Sequence, residues 1–176
     1  NITITRNAAE GNFRLLRAMP NVQTGSYTLT IKNMTLKGGG GVQGNNAVIR
    51  GGAIESEIKL VLNGCTIRDN TAEQYGGGIA STAGTLDIVN CAIFGNEAWY
   101  GGGIYIGPNV TSANISGGSI HHNTALWGGG INILGGAETP INVIGVHIYL
   151  NQAEVIGGGV AVTKNDGSPQ LTLGEG

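Results

Sequence analysis

Apolar residues in this chain alternate with polar ones in short bursts, and the bursts return every 25 to 30 residues. Leu60-Val61-Leu62 and Leu86-Asp87-Ile88 read in-out-in, and Cys65-Thr66-Ile67 and Cys91-Ala92-Ile93 repeat that reading five residues on. Period-two alternation over a few residues predicts strands. The five-residue step recurs from Leu62 to Ile67, Ile88 to Ile93, Ile115 to Ile120 and Val143 to Ile148, and Ile31 to Leu36 fits it too. Ile4 falls 27 residues before Ile31, and Leu173 falls 30 after Val143. Counting by the repeat places Ile4 and Leu173 in one column, with the chain holding close to a whole number of turns.

Two further motifs keep the same period. Glycine-led segments end at Ile54, Ile79, Ile104, Ile131 and Val160, each preceded by Gly-Gly-Ala or Gly-Gly-Gly. An I-x-x-N-x-A motif occurs at Ile67-Asn70-Ala72, Ile93-Asn96-Ala98, Ile120-Asn123-Ala125 and Ile148-Asn151-Ala153. A fixed period of this length marks a stacked-repeat architecture. The expected fold is an all-β, right-handed parallel β-helix of about six rungs, with three short strands per rung. It forms one domain over 1–176: a glycine-poor start over 1–50, then the glycine-led repeats over 51–176. Between the second and third strands stand Asn33, Gly64, Asn90, Gly117 and Gly145. Asn and Gly tolerate a left-handed backbone, so a bend at positive φ is expected there. Asn70, Asn96, Asn123 and Asn151 are expected to form a structural amide ladder at the next corner.

These motifs resemble the repeats of the bacterial polymorphic outer membrane proteins, which carry GGA-[ILV] and F-x-x-N in right-handed β-helical surface domains. Gly51-Gly52-Ala53-Ile54 matches the first motif, and the other four copies carry Gly in place of Ala. Ile-x-x-Asn at Ile67, Ile93, Ile120 and Ile148 stands for the second. The resemblance covers about residues 28 to 173. It implies a cell-surface, extracellular location and an adhesive role.

Composition narrows the function classes. Charged residues are 11 % of the chain and the net charge is −2, with no basic cluster, so nucleic acid is not an expected partner. No apolar run is long enough to span a membrane. Glycine, at 33 of 176 residues, far exceeds its usual share of about 7 %.

The carboxylates are scattered. Glu55 and Glu57, two apart with Lys59 nearby, are the pair that best fits an acid–base set, yet they occur on one rung only. No catalytic residue, metal ligand or cofactor site is assigned, and an enzyme is not expected. His121 falls in an outward column between Phe94 and Tyr149, with His147 one rung on as its expected imidazole neighbour. Cys65 and Cys91 share an inward column, either as stacked free thiols or as a disulfide between rungs.

Tyr75, Tyr100 and Trp127 each precede a glycine run, and Trp99 and Tyr105 lie close by. Together they are a candidate binding stripe for glycan or a host or cell-surface protein, or else a cover for bare glycine backbone. Segments that lengthen along the chain, at Gly107-Pro108-Asn109, Glu138-Thr139-Pro140 and Lys164 to Pro169, are expected as loops on one face. Asn109 is the candidate glycosylation site. The leading expectation is a non-catalytic structural or adhesive segment of a longer surface protein. The alternative is a head-to-tail filament subunit, whose partners would be copies of itself. A polysaccharide-binding or polysaccharide-active β-helix comes third.

Overall fold

The computed structural model describes residues 2–5, 14–20, 26–40, 50–134, 136, 139–163 and 169–175. No helix occurs among them. The strands are β1 (Ile2–Thr5), β2 (Leu16–Ala18), β3 (Thr28–Lys32), β4 (Met34–Lys37), β5 (Ile54–Ser56), β6 (Lys59–Asn63) and β7 (Thr66–Arg68). There follow β8 (Ile79–Phe94), β9 (Glu97–Tyr100), β10 (Ile104–His121), β11 (Thr124–Trp127) and β12 (Ile131–Ile133). The last are β13 (Pro140–Ile144), β14 (His147–Tyr149), β15 (Gln152–Ile156), β16 (Val160–Val162) and β17 (Gln170–Gly174).

All of the strand pairs are parallel, and each pairs one coil with the next. The molecule is a parallel β-helix, as the repeat predicts. Column one stacks Leu16, Ile54, Ile79, Ile104, Ile131 and Val160. Column two stacks Ile31, Leu62, Ile88, Ile115, Val143 and Leu173. Column three stacks Ile4, Leu36, Ile67, Ile93, Ile120 and Ile148. The members of these columns in the middle coils are almost wholly buried. Burying each such side chain contributes roughly 1.5–3 kcal/mol, so the columns supply most of the cohesion between coils.

Three expectations are corrected. Three of the coils carry a fourth strand, β9, β11 and β15, in a separate three-stranded sheet. The I-x-x-N-x-A alanines Ala98, Ala125 and Ala153 stand in register there, and Ala98 and Ala125 are buried. Ile4 pairs with Leu36 of column three rather than standing above Ile31, so Ile4 and Leu173 do not share a column. The first coil is 32 residues long between these partners, and a constant period undercounts it by five. The stack therefore makes about five turns rather than six. Finally, β10 runs straight through Gly107-Pro108-Asn109, absorbing the extra residues in register shifts after Ile106 and Val110 instead of looping out. Glu138 and residues 164–168 lie outside the described residues.

Three bends close each coil, and each places one residue at positive φ. The predicted Asn33, Gly64, Asn90, Gly117 and Gly145 column does so, at φ between 51° and 62°. So does a second column of Gly38, Asp69, Gly95, His122 and Leu150, and so does the first glycine of each triplet. The triplet at Gly76 shows why glycine is needed. Gly76 has φ 64°, and a methyl group there would strike the Ile79 carbonyl. One at Gly77 would overlap the backbone of Glu97 and the Gly102 carbonyl of the next coil. The N–H groups of Gly76, Gly77 and Gly78 donate to the carbonyls of Tyr100, Gly101 and Gly102 at 2.8–3.1 Å.

The asparagines form a continuous ladder. The side-chain Nδ2 of Asn70 donates to Oδ1 of Asn96, Asn96 to Asn123, and Asn123 to Asn151, each at 2.9 Å. The second Nδ2 hydrogen of each goes to a carbonyl of the preceding coil, at Leu36, Ile67, Ile93 and Ile120. Each Oδ1 also accepts a backbone N–H, as Asn96 does from Asn70 at 3.1 Å. Every polar atom of these buried amides is thus partnered. Replacing Asn96 with Ala strands donors on Asn70 and the Ile67 carbonyl. The expected loss is about 4 kcal/mol, read as a lower urea midpoint with an unchanged slope.

Candidate binding surface

The bend that brings each glycine triplet round also sets an aromatic residue just before it. Tyr75 pairs with Tyr100, and Tyr100 with Trp127, on three consecutive coils. Their rings stack along the helix axis. The Tyr75–Tyr100 centroids are 5.2 Å apart with planes at 19°, and Tyr100–Trp127 are 6.1 Å apart at 24°. Rings stacked this way turn their faces to one another and only their edges to solvent. The outer end at Tyr75 is closed by the Arg50 guanidinium, 5.9 Å from the ring centroid. At the other end Trp127 stands in register with Ile156.

Tyr105 does not belong to an exposed stripe. It is 4 % exposed and lies under Tyr75, with centroids 4.5 Å apart. Burial, and then the neighbouring Tyr75, hold its hydroxyl above the usual phenol range. The ladder covers Tyr105 through Tyr75, in a row beside column one where Glu55, Ala80, Tyr105, Asn132 and Ala161 are all buried. Its rings are thus engaged with one another and with this row rather than presented as an open stripe. Replacing Tyr100 with Ala opens a gap between Tyr75 and Trp127, with an expected stability loss of about 2 kcal/mol by denaturant titration; Tyr100→Phe keeps the stack and most of the stability.

Trp99 stands apart from that ladder. It sits on the outer face of the three-stranded sheet and is 50 % exposed. Its strand β9 pairs with β11, which places Leu126 beside it on the next coil. Glu73 and Glu154 occupy the same position on the coils to either side. A shallow groove runs across this face, lined by Glu73, Glu97, Trp99, Thr124, Leu126 and Glu154 together with Thr71 and inward alanines. Its ionisable lining groups are all carboxylates. Each member of the column follows a ladder asparagine by three residues. That spacing was the available signal, but it is visible only once the fourth strand is recognised.

A second groove lies beside the ladder, lined by Arg50, Glu57, Tyr75, Tyr105 and Asn109 among others. The Asn109 side chain is exposed at its rim. Glu55 is 3 % exposed and its carboxylate is held by Arg14 and by Arg17, the latter at 3.1 Å. Lys59 pairs with Asp87 at 3.3 Å rather than with either glutamate. Glu55 is thus engaged as a structural anion.

The outward column of Phe94, His121 and Tyr149 is a second ring stack. His121 lies 4.9 Å from Phe94 and 4.7 Å from Tyr149, with planes within 17°. The imidazole that meets His121 is His122 rather than His147. The left-handed backbone at His122, φ 53°, brings two consecutive rings to the same side. Partial burial, and then His122, lower the His121 pKa from its ordinary value. Cys65 and Cys91 are buried free thiols. The Cys65 N–H donates to Cys91 Sγ at 3.3 Å, and the two thiols donate to the carbonyls of Ile31 and Val89 at 3.4 and 3.3 Å. The side-chain interaction with the Cys65 thiol, and then burial, push the Cys91 thiol up, against the opposing pull of the Cys65 N–H.

The chain matches no protein-family model, no curated protein and no solved structure. No helix among the described residues is long and apolar enough to cross a membrane.

Proposed function

We propose that this chain is a non-catalytic, extracellular adhesive module of the cell surface, and that it binds glycan through the outer face of its three-stranded sheet. The observation that carries the reading is Trp99. The ring faces of Tyr75, Tyr100 and Trp127 are spent on one another, whereas Trp99 is half exposed beside Leu126 in an open groove. An indole face stacks on the C–H side of a sugar ring, and flanking carboxylates accept hydrogen bonds from its hydroxyls. Glu73, Glu97 and Glu154 make the groove anionic, which favours neutral or amino sugars over uronic or sialic acids. The glycine-led and I-x-x-N motifs, with their resemblance to bacterial surface repeats, support the location.

A glycan array on the purified chain tests this. Binding to neutral or amino-sugar glycans is expected, with Trp99→Ala weakening it at least tenfold and Tyr100→Phe leaving it unchanged. Binding that survives Trp99→Ala, or selective binding of acidic glycans, overturns the assignment.

The second reading, a head-to-tail filament, is favoured by a separate observation. Apart from Trp99, the exposed large apolar side chains of the described residues lie on or beside the outermost strand of a column. Ile2, Met19 and Tyr27 do so at one end, and Tyr149, Leu150, Val155, Ile156, Val162 and Leu173 at the other. A further coil, from another copy or from adjoining chain, would cover them. Sedimentation velocity across a hundredfold concentration range discriminates: growing species support self-assembly, and a constant monomer rules the filament out.

A further inference from the structure

We propose that His121 and His122 form a two-imidazole site for a divalent transition metal of tetragonal or octahedral preference, Ni2+ or Cu2+. Consecutive residues of a strand face opposite sides, so two adjacent histidines do not ordinarily converge. Here they do, because His122 occupies the left-handed bend that closes the third strand position of every coil. The two Nδ1 atoms stand 2.8 Å apart and the rings are nearly perpendicular, at 84°.

That separation suits a particular coordination angle. Two imidazole nitrogens about 2.0–2.1 Å from a metal at a right angle lie about 2.9 Å apart, whereas a tetrahedral angle spreads them to about 3.4 Å. The pair therefore fits the cis positions of square-planar or octahedral Ni2+ and Cu2+ better than those of tetrahedral zinc. Without metal, one Nδ1 carries a proton and the other accepts it. On coordination that proton moves to a ring Nε2 or to solvent, and both Nδ1 lone pairs face the ion.

The ligands are held in place beforehand. His121 is sandwiched between the Phe94 and Tyr149 rings, and His122 packs edge-on against both His121 and Tyr149, the latter at 6.1 Å. His122 is exposed, which leaves the other metal positions open to water. Among the described residues no group of three or more His, Cys, Asp or Glu side chains surrounds a common point, and the proposed site is built on these two imidazoles.

Calorimetric titration of the untagged chain with Ni2+ at pH 7.5 tests the proposal. Ni2+ is the probe because Cu2+ oxidises thiols, and the chain carries Cys65 and Cys91. One equivalent is expected to bind, more weakly at pH 5.5 as protons compete for the imidazoles. His121→Phe preserves the ring column and His122→Asn preserves a residue that tolerates positive φ. Each is expected to weaken binding at least tenfold while the far-ultraviolet circular dichroism stays unchanged. His147→Ala is expected to bind as the native chain does. Absence of Ni2+ binding, or a loss in His147→Ala equal to that in His121→Phe, overturns the site.

Discussion

Each coil of this molecule must lay its backbone about 4.8 Å from the next, in parallel and in register, and the other features follow from that spacing. A residue at a given position meets its own counterpart above and below. Isoleucine therefore packs on isoleucine, amide bonds to amide, and ring stacks on ring. The asparagine ladder shows the constraint most plainly. An amide has two donors and an acceptor able to take two, and one strand spacing lets it link both neighbouring coils without leaving a buried atom unpaired. The same spacing excludes a side chain from the second glycine of a triplet, where the next coil's carbonyl already occupies the space.

That spacing also sorts the surface. Side chains that repeat from coil to coil spend their faces on one another and become structure. Tyr75, Tyr100 and Trp127 are of this kind, and so are Phe94, His121 and Tyr149. Residues that break a column remain available for ligands. Trp99 stands between Glu73 on one side and Leu126 on the other, with no ring above or below it to stack on. His122 holds the one imidazole in a bend column whose other members are Gly38, Asp69, Gly95 and Leu150. On a solenoid of this regularity, exceptions to the repeat are where recognition chemistry can reside. Trp99 and His122 are both such exceptions, at separate places on the coil, and His122 meets His121 of the neighbouring ring column.

Much of the architecture was legible in the chain itself. The alternation at Leu60-Val61-Leu62, the Asn/Gly column at the first bend and the I-x-x-N-x-A motif each reflect a local requirement. A buried face, a positive φ and a partnered amide select few residue types, so the selection shows in the letters. The glycine triplets are legible for the same reason. The candidate surface was less so. Five aromatic residues near the glycine runs look alike in sequence, yet three form a ladder, Tyr105 is buried beneath it and Trp99 faces away.

By itself, then, the sequence determined the repeat, the parallel β-helix and the columns that hold it together. It did so because each coil poses the same local demands again. The tertiary structure alone decided the register of the first coil, the fourth strand position and which ring faces reach solvent. Those depend on how many residues a coil absorbs between its fixed points, as in the 32 that separate Ile4 from Leu36, and on which way a bend at positive φ turns the next side chain. Neither quantity is encoded in any single position, so His121 meets His122, and Trp99 faces solvent, only when the coils are stacked.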